Sequence, residues 1–149
     1  VVLALVREGV AHLTVANRTL VRAERLVQIA KGDGVNSLSI PLAGSAIDGE
    51  AASADLIVNC TSLGMIHGPD ENGEPLNWQQ IPPTALVNDL VYNPTETPLL
   101  RAAAQAGART LGGIHMLVYQ GAASFEMWTD QQAPVEVMLE AASLAMESR

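Results

Sequence analysis

"LTVANRTLVRAERL", residues 13–26, decides how the chain folds. An apolar, β-branched run ends abruptly at Asn17-Arg18-Thr19 and gives way at once to a helical pattern. The spacing predicts a strand over 12–17 and a helix over 20–31. Asn17 or Thr19 serves as its cap, Lys31 lies in its last turn and Gly32 just beyond. A strand that feeds a helix this directly is half of a βαβ unit.

The same alternation recurs along the chain. Residues 1–9 read as the end of a helix stopped by Gly9, a weaker strand follows near 36–40, and a short helical turn lies around 46–52. "DLIVNCT" (55–61) is apolar on both faces, as a central parallel strand is. Residues 63–84 hold Gly64, Gly68, Pro69, Gly73, Pro75, Pro82 and Pro83. They read as a loop of roughly twenty residues, a length that a compact domain keeps for a functional reason. "ALVNDLV" (85–91) is the next strand, and Thr97 caps a helix from Pro98 to Gln105 that Gly107 ends. "ARTL" (108–111) is a short strand. Gly112-Gly113 then leads into a helix through Trp128, and Pro134 begins a final helix to about Met146. Strands alternating with helices predict an α/β fold, a doubly wound parallel sheet of the Rossmann type.

Bulk composition narrows the function. The 149 residues suit one domain with its own core, and 48% hydrophobic with 16% charged residues is a globular balance. A formal net charge of −8 argues against nucleic acid as a partner. On so acidic a body, Arg18, Arg22 and Arg25 form a local positive spot that a bound anion would require. The bland alternative is a solvated helix face shared with Glu24. A single cysteine, Cys60, forms no disulfide framework and suits the reducing cytoplasm. No apolar run approaches the length of about 18 residues that a membrane span needs, and no secretory leader pattern is visible. His12, His67, His115 and Cys60 show no metal-ligand spacing. The chain opens without Met on an uncapped apolar pattern, as expected for a piece of a longer protein.

In a dinucleotide-binding fold the end of the second strand meets the adenosine ribose. An acidic residue there takes the 2′-hydroxyl of NAD, whereas arginine accommodates the 2′-phosphate of NADP. Here the position holds Asn17-Arg18-Thr19 and no carboxylate. Arg18 can lie against the adenine with its guanidinium toward the phosphate. Arg22, one turn later, can close on the same oxygens, and Thr19 adds a hydroxyl at a helix N-terminus. The cofactor expected is NADP. The glycine-rich loop that should precede this strand is absent, and with it the first strand, the centre of the order 3-2-1-4-5-6. Without that strand, residues 12–17 and 55–61 would face an empty slot with unpaired backbone groups, so the sequence is expected to continue upstream.

Four motifs in order, "NRT…R", "DLIVNCTSLGM", "NDLVYNPTETPLL" and "GGIHMLVYQGAASFEMW", resemble the C-terminal cofactor domain of the shikimate dehydrogenase family over essentially the whole chain. The resemblance implies that residues 1–149 are an NADP-binding domain with C-terminal helices, preceded by a substrate domain that this chain lacks. It implies that Asn17, Arg18, Thr19 and Arg22 hold the 2′-phosphate and that Thr61, within the Asn59–Met65 segment, lies near the cofactor. Leu90, Gly113 and Met116 would border the nicotinamide, and Tyr92 and Gln120 would reach a small-molecule substrate. The implied reaction is the NADPH-dependent, reversible reduction of 3-dehydroshikimate to shikimate, in chorismate and aromatic amino acid biosynthesis. The family's acid/base lysine and aspartate belong to the substrate domain, and Lys31 sits at a helix end far from the pocket. No catalytic residue is therefore expected in residues 1–149, which by themselves should be inactive. Relatives commonly carry an acidic residue and a glycine where this chain has Gly112 and His115. His115 is an acid/base candidate on geometry alone and reads as structural. The rival readings are a quinate/shikimate paralogue and a non-catalytic NADP-sensing module; a homodimer is a further expectation.

Overall fold

A computed structural model describes residues 1–68 and 80–147. Residues 69–79 of the expected long loop, with Pro69, Gly73 and Pro75, lie outside the described residues. The elements run α1 (Val2–Arg7), β1 (His12–Asn17), α2 (Leu20–Gly32), β2 (Asn36–Pro41), α3 (Ser45–Ala51), β3 (Leu56–Asn59), β4 (Leu86–Asp89), α4 (Pro98–Gln105), β5 (Arg109–Leu111), α5 (Ile114–Thr129) and α6 (Val135–Glu147). Every element read from the sequence is present.

All strand pairs are parallel. β1 pairs with β2 from His12↔Asn36 to Asn17↔Pro41, β3 with β4 from Leu56↔Leu86 to Asn59↔Asp89, and β4 with β5 from Leu86↔Arg109. These are the neighbour relations 3-2 and 4-5-6 of the doubly wound order. Among the described residues, neither β1 nor β3 has a strand on its other edge. Their burial reflects it. No residue of β1 is fully buried, and in β3, read from the sequence as a covered central strand, only Asn59 is.

Val1–Ser53 make the body of one compact unit. Here α2 lies on β1 and β2 through Ala23, Val27 and Ala30, an i, i+4, i+7 stripe that is entirely buried. Thr14 Oγ1 donates to Glu50 Oε2 at 2.6 Å and ties β1 to α3. The second unit begins at Ala54. Its middle strand, β4, buries Val87 and Asp89 completely, and Leu99, Leu100 and Ala103 of α4 are buried as well. Thr97 caps α4 as read from the sequence: its Oγ1 accepts the Leu100 N–H at 3.2 Å, with Pro98 at the first helical position. Gly107, at φ +84°, ends that helix in the left-handed region. α5 and α6 pack on each other. Among the described residues no helix is long and apolar enough to cross a membrane.

Candidate functional site

The first cluster stands at the carboxyl end of β1. Asn17 is the last strand residue, and its Oδ1 accepts the Thr19 N–H at 2.8 Å in an Asx turn. Thr19 occupies the N-cap position of α2, but its hydroxyl makes no capping bond. The two candidate caps thus share the role, since Thr19 takes the position and the Asn17 side chain takes the adjacent amide. The Arg22 N–H donates to the Thr19 carbonyl at 2.9 Å, which closes the first turn. With its oxygen engaged, Asn17 offers amide N–H donors where an acidic residue would offer only acceptors. Arg18, Thr19 and Arg22 are exposed beside it. Donors, two guanidinium groups and a helix N-terminus in one place suit a dianion.

The second cluster lies at the carboxyl ends of β3 and β4, within the second unit. Asp89 is fully buried. Its Oδ1 accepts Asn59 Nδ2 at 2.9 Å and the Val91 N–H at 3.0 Å, and its Oδ2 accepts the Thr97 hydroxyl at 2.6 Å. Asn59 Oδ1 in turn accepts both the backbone N–H and the hydroxyl of Thr61, at 3.0 and 2.7 Å. Thr61 Oγ1 accepts the Leu63 N–H at 3.1 Å. Among the described residues no buried side-chain nitrogen or oxygen is left without a partner. Gly64 follows at φ +80°, and a Cβ there would stand 3.3 Å from Pro98 Cδ at the start of α4. Cys60 is solvent-accessible. Desolvation, to which the Asp89 charge adds, nonetheless pushes its thiol up. It stays protonated at neutral pH and is a poor nucleophile.

The residues read as the nicotinamide wall fall into two groups. Leu90 and Gly113 are in direct contact: a Cβ on Gly113 would overlap the Leu90 carbonyl oxygen and lie 2.6 Å from the Leu90 carbonyl carbon. The start of α5 is therefore seated on the backbone leaving β4. Met116, one turn into α5, is 37% exposed, and His115 and Gln120 are exposed on the same helix. Tyr92 is half-buried. The motifs do not single out Asp89, and Thr97 reads from them only as a cap. A signal exists nonetheless: an acid inside the apolar run "LVNDLV" requires buried donors around it. Among the described residues, no three His, Cys, Asp or Glu side chains gather as a metal site.

Parallel α/β ladders, with polar groups gathered where strands end and helices begin, define a protein of the Rossmann-like α/β class. Residues 113–142 match the family described as the shikimate 5′-dehydrogenase C-terminal domain. Over 139 residues the chain is 48% identical to the shikimate dehydrogenase (NADP(+)) of Methanopyrus kandleri, covering 92% of this chain and 47% of that protein. It is also similar to the structure of quinate dehydrogenase from Corynebacterium glutamicum in complex with NAD. That likeness has a TM-score of 0.83 and 32% identity, covering 97% of this chain and 50% of the other. The shikimate 5-dehydrogenase from Thermus thermophilus, in complex with NADP(H) and shikimate, gives a TM-score of 0.78 and 34% identity over 97% of this chain and 50% of that one. Over nearly its whole length the chain is similar to shikimate dehydrogenases, and it spans about half the length of the curated relatives it matches.

Proposed function

We propose that this chain is the cofactor-binding part of an NADP-dependent shikimate dehydrogenase, which interconverts 3-dehydroshikimate and shikimate. The observation that carries the cofactor choice is the end of β1, where Asn17 turns its oxygen inward to Thr19 and Arg18 and Arg22 stand exposed beside it. When bound, the nicotinamide supplies or accepts the hydride. The chain's own residues bind and orient. Asn17, Arg18, Thr19 and Arg22 hold the 2′-phosphate. Thr61, Leu90, Gly113 and Met116 line the nicotinamide half, and Tyr92 and Gln120 meet the substrate. In this reading residues 1–149 form one cofactor domain, and proton transfer falls to a lysine and an aspartate of a preceding substrate domain. The whole enzyme is then a cytoplasmic homodimer working on a small molecule.

The likeness to a quinate dehydrogenase crystallised with NAD favours a second reading, a quinate-oxidising paralogue. Initial rates of the full-length protein on shikimate and on quinate, each with NADP and with NAD, decide between the two. The highest kcat/KM is expected for shikimate with NADP. Dominance of quinate with NAD would overturn this assignment, and the absence of any turnover would leave the sensing module.

Substrate contact has its own test. If the Gln120 amide bonds a substrate hydroxyl, Gln120→Ala should lower kcat/KM for shikimate about tenfold, near 1.4 kcal/mol, while the KM for NADP stays at the parent value. Tyr92→Phe removes only a hydroxyl and should act in the same direction more weakly. Shikimate titrations at saturating NADP that match the parent for both variants would take these residues out of the site.

A further inference from the structure

Asp89 is the completely buried carboxyl group of β4, and no assigned role uses it. Its three hydrogen bonds reach three different segments: Asn59 at the end of β3, Val91 on the way out of β4, and Thr97 at the cap of α4. Two of those bonds continue toward residues placed at the ligands. Asn59 passes the restraint to Thr61, whose backbone N–H and hydroxyl are both held on Asn59 Oδ1. The Val91 amide is pinned between Leu90 and Tyr92. A second link joins the same two exits, because the Ile66 N–H donates to the Asn93 carbonyl at 3.1 Å. Burying an acid among neutral donors is a costly way merely to fill space, since an apolar residue of similar volume would pack there without demanding partners. Its geometric effect is what a hydrophobic residue could not provide: one rigid group referencing two loop exits to each other.

We propose that Asp89 is a positioning residue, whose carboxylate sets Thr61 through Asn59 and sets Leu90 and Tyr92 through Val91. It thereby fixes the cofactor wall and the substrate wall relative to one another. The inference rests on the functional reading above for which ligands those residues meet, but not for the restraint itself. Asp89 touches neither ligand and exchanges no proton with one.

The test compares three variants of the full-length protein at a temperature where each is folded. Asp89→Ala removes all three acceptor contacts. Asp89→Asn keeps one oxygen for three donors. Ile81→Ala truncates a buried core residue outside this network and serves as the stability control. Small misplacements of positioning groups cost large factors in rate, so Asp89→Ala should lower kcat about tenfold or more, with Asn recovering part of the loss. Ile81→Ala should keep the parent kcat despite a lowered Tm. A kcat that merely follows Tm through the series, or that stays at the parent value in both Asp89 variants, overturns the proposal. Amide hydrogen exchange supplies a readout that needs no substrate and that Asp89→Asn can deliver if the alanine variant does not fold. The Thr61 and Val91 N–H groups should exchange about tenfold faster in the Asp89 variants than in Ile81→Ala, and unchanged rates overturn the proposal. If the parent does not oxidise shikimate, the functional reading falls, while the exchange rates still decide the role of Asp89.

Discussion

Gly113→Ala is expected to cost about 3 kcal/mol of stability and most of the shikimate-dependent turnover, whereas Gly112→Ala, one residue earlier, is expected to cost less than about 1 kcal/mol. The difference does not come from backbone conformation. Gly113 sits at φ −72°, which alanine adopts freely. It comes from what the new methyl group would meet. At Gly113 that is backbone: the Leu90 carbonyl, and the Val91 carbonyl carbon at 2.8 Å. No rotamer change relieves a clash between a helix start and a strand exit, so α5 must lift from β4 or β4 must move. Either shift carries Met116 and Gln120 with it, because both ride on α5. At Gly112 the nearest atoms are the Thr95 carbonyl oxygen at 3.6 Å and Leu100 Cδ1 at 3.7 Å, ordinary van der Waals contacts. Chemical denaturation of the two variants, followed by kcat at saturating substrates, checks the contrast. A Gly113→Ala protein as stable as its Gly112→Ala neighbour would show that the α5 start is not seated on β4.

The pair also marks where sequence reading stops. "GG" before a helix announces a tight entry, but nothing local says which glycine faces a backbone, since that depends on a strand more than twenty residues earlier. The elements themselves are local and were legible. The buried stripe Ala23, Val27, Ala30 is written at helical spacing, and Thr97-Pro98 states both a cap and a first turn. The arginines at the end of β1 were legible for a different reason: on a chain of net charge −8, a cationic cluster stands out without any structure. The division of capping between Asn17 and Thr19 was not, because it depends on the extended backbone that Thr19 takes, φ −105° and ψ 96°. Least legible was the network around Asp89. Asn59 and Asp89 are thirty positions apart and become partners only through the parallel register that sets them side by side.

Two substitutions at the end of β1 test the proposed cofactor choice by different logic. On the proposed reading, Arg18→Ala removes a cation from the place where NADP would carry its extra phosphate. Affinity for NADP should fall by about 1.5–3 kcal/mol, roughly ten- to a hundredfold, while affinity for NAD, which has only hydroxyls there, should hardly move. Asn17→Asp is the sharper instrument. Its carboxylate retains an oxygen to accept the Thr19 N–H, so the turn that opens α2 is preserved. The amide donors, however, are replaced by an acceptor carrying negative charge, which repels a phosphate and welcomes a ribose 2′-hydroxyl. The variant should lose NADP affinity and gain NAD affinity, so that the two dissociation constants move in opposite directions. Added salt should shrink the NADP losses and leave the NAD gain largely in place, because only the phosphate interaction is between net charges near solvent. Titrations of both cofactors into the parent and the two variants, at low and at physiological ionic strength, separate the possibilities. Equal losses for NADP and NAD in Arg18→Ala, with no gain for NAD in Asn17→Asp, would sink the 2′-phosphate clamp, and unchanged affinities for both cofactors in Arg18→Ala would mean that this arginine only coats a helix face.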